Sequence, residues 1–112
     1  MRNMIRLTMV TAVAAVAFAF AAVAESVSVK YRGLVDLTPF ACEAVVSSFV
    51  RRVCYDEDQR YMLISLQGVY YHYCAIPPDV VDGLLAAPSV GGFYNAHIKS
   101  NFDCRIFPPP DY

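Results

Sequence analysis

The sequence predicts an α+β domain: a three-stranded antiparallel β-meander followed by two short C-terminal helices packed on one of its faces. Three observations carry that expectation. Apolar and polar residues alternate with period two between Phe49 and Cys74, broken by a polar turn and then by Gln67-Gly68. Apolar residues next recur at helical spacing from Val80 to Ile98. The densest apolar run, Ala12 to Ala24, stands apart from both and reads as a targeting segment rather than as core.

That first segment sets the compartment. Arg2 and Arg6 precede an uninterrupted apolar stretch that ends in Ala22-Val23-Ala24. Ala12 to Ala24 rises only about 20 Å as a helix, short of the ~30 Å hydrocarbon core of a bilayer. The small residues at its end suit a signal peptidase. Residues 1–24 are therefore expected to be a signal peptide, cleaved before Glu25, with no permanent membrane anchor after cleavage. The destination is outside the cytoplasm, periplasmic or secreted. Position 25 is Glu rather than Cys, which rules out a lipid-modified cysteine at that point.

The chain has 112 residues, enough for one small domain. Seven of its nine basic residues and all ten acidic ones follow residue 24, so the exported part carries an excess of acid. Such a balance makes nucleic acid an unlikely partner, because a phosphate backbone is held by clustered cations. The four cysteines, Cys42, Cys54, Cys74 and Cys104, all lie in the exported part and are even in number. In an oxidising compartment they are expected to form two disulfides, with three pairings open. No C-x-x-C spacing suggests zinc, and a paired cysteine is no nucleophile, so no metal, cofactor or catalytic residue is expected.

Residues 25–46 alternate loosely through Val27, Val29 and Tyr31 and are expected to be an N-terminal arm or an added strand. Phe49 to Tyr55 is rich in β-branched and aromatic residues, and Asp56-Glu57-Asp58-Gln59 supplies a turn. Those acids lack the glycine and distal glutamate of a calcium loop. In the next strand Met62, Ile64 and Leu66 share one face, with Tyr61, Leu63 and Ser65 on the other. After Gly68, Val69, Tyr71 and Tyr73 share one face, while Tyr70, His72 and Cys74 share the opposite one. Ile76-Pro77-Pro78 ends the sheet and Asp79 suits the first turn of a helix that Pro88 stops. Ser89 caps a second helix through Phe93, Tyr94, His97 and Ile98. Gly91-Gly92 inside that helix implies a close approach that a Cβ would block. Residues 107–112 form a Pro-rich extended tail.

Several of these segments, taken in order, carry a family likeness. Tyr55-Asp56 closes the first strand, Tyr71-x-Tyr73 lies in the third, Ile76-Pro77 follows it, and Asn95, Ile98 and Lys99 come late. Together they resemble a KTSC domain, over residues 47–106. That family occurs as stand-alone bacterial proteins and at the C-terminus of some lysyl-tRNA synthetases, and the resemblance implies a small binding module, with RNA binding suggested. The usual domain is cytoplasmic and poor in cysteine, whereas this chain has four. Cys54 and Cys74 both fall where the family has other residues, which with strand alternation implies the pairing Cys54–Cys74 and Cys42–Cys104. Outer strands of a flat meander stand about 9.6 Å apart, so a bend would have to bring that first pair together. The alternatives are Cys42–Cys54 with Cys74–Cys104, the runner-up, and Cys42–Cys74 with Cys54–Cys104.

The expected role is an exported, non-enzymatic binding module for an envelope protein or polymer. Tyr71 and Tyr73 are expected to fill the sheet-to-helix interface. The opposite face, with Tyr70 and His72, is expected to be exposed and to bind, joined by Arg51 and Arg60. The alternatives are nucleic-acid or carbohydrate binding through the strand tyrosines, and a small hydrolase using His72 or His97.

Overall fold

Strands β1 (Ser26–Val29), β2 (Gly33–Asp36), β3 (Ala41–Ala44), β4 (Val50–Asp56), β5 (Tyr61–Leu66) and β6 (Val69–Tyr73) form one curled sheet in the order β2-β1-β6-β5-β4-β3. The computed structural model describes residues 24–112, so the expected signal peptide, all but its last residue Ala24, lies outside the described residues. The meander β4-β5-β6 is present where the alternation placed it, within a residue at each end. Gln67 and Gly68 join β5 to β6 with φ of 51° and 84°, the two positive values that a two-residue hairpin turn of the right twist requires. Every neighbouring pair is antiparallel except β1 on β6, where a single parallel bridge sets Val29 opposite Tyr70.

Three strands were expected and six are found. The extra ones are β1, β2 and β3, all from the region expected to be an arm. The cause is the second face of the meander. Cys54, Tyr61, Leu63 and Cys74 are large or apolar and point away from the helices, and they too must leave water. Val29, Val35 and Leu37 from the N-terminal strands pack against them in a separate buried cluster. The sheet curls far enough for the Glu25 carboxylate, beside β1, to take two hydrogen bonds from Arg52 on β4 at 2.6 and 3.0 Å. Strand β5 is consequently buried on both sides from Tyr61 to Ser65.

On the other face, helix α1 (Pro78–Ala86) and the short α2 (Val90–Phe93), which continues as a π-helical turn over Tyr94–Ile98, close the main core. Val81, Leu84, Tyr94 and Ile98 pack on Val50, Val53, Met62 and Ile64. Pro77 caps α1 in an extended conformation, and the Ser89 hydroxyl accepts the Gly92 N–H at 3.0 Å, as the capping pattern predicted. Gly91 has the expected reason, whereas Gly92 is exposed and faces only the Ser89 cap. A Cβ on Gly91 would stand 2.6 Å from the Phe49 ring, so α2 lies against the chain entering β4.

The disulfides are Cys42–Cys54 and Cys74–Cys104, which corrects the expected pairing of Cys54 with Cys74 and of Cys42 with Cys104. Cys54 and Cys74 do point to one face, but β5 stands between their strands. Each finds a partner from outside the meander instead. Cys42 is directly opposite Cys54 across β3 and β4. Val45 N–H donates to Arg51 C=O, and counting in twos from that pair makes Cys42 and Cys54 a non-hydrogen-bonded pair, the closer kind, which suits a cross-strand bridge. Cys74 ends β6 and takes Cys104 from the tail.

Candidate functional site

Strand β6 has an incomplete outer edge. Strand β1 covers it only at Tyr70, then turns away at Lys30 and Tyr31. Beyond β6 the chain returns after the second helix, and Phe102 C=O accepts from Cys74 N–H. Between these two contacts opens a cleft of about 650 Å³, within the usual range for ligand sites. Tyr71, His72 and Tyr73 form its floor, Tyr31 one wall, and Asn101, Asp103 and Arg105 the other. Tyr31 and Ser100, both lining it, hold left-handed backbone with φ of 70° and 71°. Such positions are uncommon for residues with a side chain.

The polar groups are tied in specific ways. The Asp103 carboxylate takes hydrogen bonds from the Arg105 side chain at 2.6 to 3.1 Å and from its backbone N–H, which holds its pKa down to about 2. His72 Nδ1 and the Tyr61 hydroxyl share a hydrogen bond of 2.8 Å. Burial, and next the Arg32 guanidinium, pull the His72 pKa below its ordinary value, against the pull of Asp103. The Tyr73 and Tyr94 hydroxyls are hydrogen-bonded to each other, and burial followed by that bond pushes the Tyr73 pKa up. Lys30 Nζ stands 5.4 Å from the Tyr31 ring centroid and 5.5 Å from that of Tyr71.

Next to the cleft the tail makes a second network. Arg32 stands over both the Tyr61 and Tyr112 rings, at 5.1 and 5.3 Å from their centroids, and donates to Pro110 C=O at 2.7 Å. The Tyr112 hydroxyl donates to the buried Asp56 carboxylate at 2.9 Å. The tail is extended, as its prolines predicted, and is laid along the N-terminal side of the molecule.

Of the residues expected to bind, only His72 lies in the cleft. Tyr70 is half-buried beneath β1, and its hydroxyl accepts from Arg52, so the face expected to be open is covered. Arg51 and Arg60 are exposed, but they sit at opposite ends of the β4-β5 hairpin, roughly 16 Å apart along the strand. They do not converge with His72. Tyr71 and Tyr73 both pack against the core interface, and both also border the cleft. Of the other motif residues, Tyr55, Asp56, Pro77 and Ile98 are architectural. The Tyr55 hydroxyl donates to Ile76 C=O at 2.7 Å, Pro77 caps α1 and Ile98 is buried, while Asn95 and Lys99 are exposed. Asn101, Asp103 and Arg105 carried no sequence signal and Tyr31 only a loose strand alternation, because chain reversals outside the meander bring them together.

Comparison with known proteins agrees with this division of the molecule. A family model for the KTSC domain matches residues 46–102, which span β4 through the π-helical turn. An uncharacterized protein of Stutzerimonas stutzeri is 39% identical over 57 residues, which is 50% of this chain and 80% of the relative. A protein of Tsukamurella paurometabola is 36% identical over 61 residues, 54% of this chain and 91% of the relative. The crystal structure of a KTSC domain protein from Yersinia pestis aligns with a TM-score of 0.54 at 28% identity, covering 57% of this chain and 92% of that one. The Tyr-x-Tyr strand, the Ile-Pro that follows it and the two helices all lie within the matched region, and the chain belongs to the KTSC domain family.

Proposed function

We propose that this chain is an exported, non-enzymatic binding module whose ligand site is the cleft along the open edge of β6. The observation that carries the reading is the convergence of Tyr31, Tyr71 and His72 with Asn101, Asp103 and Arg105 on one cavity where a strand lacks a neighbour. The groups best suited to catalysis are already engaged: His72 Nδ1 faces Tyr61, and both Asp103 oxygens face Arg105. A nucleic-acid ligand is disfavoured because ten acidic residues against seven basic ones follow residue 24. Export is supported by the apolar run ending in Ala22-Val23-Ala24 and by two disulfides, which suit an oxidising compartment. No helix among the described residues is long and apolar enough to cross a membrane.

The test uses isotope-labelled protein produced from the full chain and recovered from the cell envelope. Intact mass should show a chain beginning at Glu25. Titration with peptidoglycan fragments, an oligoribonucleotide and a pool of short peptides should shift amide signals of Tyr31, Tyr71 to Tyr73 and Asn101 to Arg105 with one of the three. Shifts confined to other surfaces, or a full-length chain in the cytosol, would contradict the reading.

A further inference from the structure

Both ends of the outer edge of β6 are already used for pairing. Lys30 N–H donates to Tyr70 C=O at 2.9 Å, and Cys74 N–H donates to Phe102 C=O at 2.8 Å. In an antiparallel strand, residues two apart aim their backbone groups the same way. Tyr70, His72 and Cys74 therefore all direct theirs away from β5. His72 lies between the two used positions, and its N–H and C=O open onto the cleft with no backbone partner among the described residues. From Tyr70 to Cys74 the edge runs roughly 13 Å at ~3.3 Å per residue, room for three extended residues between the bonded ends.

The surroundings narrow the chemistry further. A chain lying against this edge would have Tyr71 and Tyr73 beside it on one side of the strand and His72 on the other. At the rim, the Asp103 carboxylate is occupied by Arg105. Lys30 has no carboxylate partner among the described residues, so the rim carries a positive charge left unmatched. A sugar or nucleotide offers no repeating amide to meet an N–H and a C=O on one strand residue. An extended polypeptide does, and this is how exposed sheet edges recruit partners.

We infer that the cleft binds an extended polypeptide segment, which adds to β6 as a strand of three residues paired with the His72 main chain and presents an acidic side chain to Lys30. The inference rests on the reading of the cleft as the ligand site, and it names the class of ligand. The bound segment supplies the neighbour that β6 lacks at His72, and the tyrosines supply side-chain contacts.

The probe is a displayed library of random hexapeptides selected on the full-chain protein, followed by synthetic copies of the enriched peptides. Enrichment of Asp- or Glu-containing peptides is expected. A bound peptide should slow hydrogen exchange of the His72 amide at least tenfold, and N-methylation at one central peptide position should weaken binding at least fivefold. Lys30→Gln, at an exposed position, should weaken it severalfold and flatten its salt dependence. An unenriched library, a flat N-methylation scan, or unchanged exchange at His72 would overturn the inference. If one of these occurs while peptidoglycan fragments or RNA still shift the cleft residues, the peptide inference fails and the cleft reading survives. If enriched peptides shift only other surfaces, both fail.

Discussion

The two faces of β5 are closed in different ways. Met62 and Ile64 look toward the helices, and everything that covers them lies between Val45 and Phe102 and is held by packing and hydrogen bonds, without a disulfide. Tyr61 and Leu63 look the other way, and their cover comes from residues 27–42 together with Cys104 and the tail beyond it. Each disulfide joins one cysteine inside the family-matched region, Cys54 or Cys74, to one outside it, Cys42 or Cys104. The bridges are thus located where additions meet the family core. A short addition buries little area per residue and loses much chain entropy on docking, so a covalent tether is the economical way to hold it. The same additions contribute to both walls of the cleft, Tyr31 on one side and Asp103 and Arg105 on the other, which places the proposed ligand site on the seam between the two constructions.

The strongest way to break this contrast is to remove both tethers. The bridges close separations of 12 and 30 residues, worth about 3 and about 3.5 kcal/mol by loop entropy, so replacing all four cysteines by Ala should cost roughly 6.5 kcal/mol. Hydrogen exchange should then rise first in β1, β2 and the tail, with β5 and α1 amides the last to go. Uniform loss of protection would show that the two faces fold as one unit. Next in size is Tyr73→Ala, which removes a ring at 6.0 Å from Tyr94 and its hydroxyl partner. It should cost about 3 kcal/mol in denaturant melts, the low end for an aromatic because Tyr73 is half-buried. Exchange should rise on both faces together, since β6 supports both.

The helix face was legible in the sequence and the other was not, for reasons that lie in particular residues. Met62, Ile64 and Tyr73 announce their face by period two, and Pro77, Ser89 and Gly91 punctuate the helices by fixed backbone chemistry. Leu63 and Tyr61 carry an equally apolar pattern, but alternation cannot tell one buried face from two. The signal for the second lay in the arm, in Val27, Val29 and Val35, too short and too broken to fix a register. The cysteine pairing failed for a related reason: facing the same way does not make two strands adjacent. The cleft was almost illegible, because Tyr31, His72 and Asp103 meet only through tertiary reversals.

A smaller effect isolates the tail. The Tyr112 hydroxyl is one of two donors to Asp56, the other being Gln59 N–H at 3.4 Å, and the carboxylate is buried. Tyr112→Phe keeps the ring against Arg32 and Phe40 but leaves that carboxylate short of a strong partner. The expected cost is about 1–2 kcal/mol. Measured in the cysteine-free background, the same change should cost less, because the tail is then free to leave. Equal costs in both backgrounds would mean that the Cys74–Cys104 bridge does not hold the tail in place.

The smallest effect is a pH dependence that separates the seam from either core. His72 has a pKa below its ordinary value in the folded chain, because burial and the nearby Arg32 guanidinium disfavour the imidazolium, with Asp103 opposing them in part. The unfolded chain binds a proton near pH 6.5, and the folded chain binds it only at lower pH. In the window between, the unfolded state holds more protons, so stability rises with pH and falls on acidification from 7. Below the folded pKa the slope from this group vanishes. His72→Asn keeps a polar partner for the Tyr61 hydroxyl and removes the titration, so it should flatten that part of the profile. Asp103 does not contribute to the same window, since its pKa of about 2 keeps it charged throughout. Thermal melts of the two proteins between pH 7.5 and 5 give the comparison. A wild-type stability that rises on acidification would mean that the pull of Asp103 outweighs burial, and that His72 is held as a cation facing the cleft.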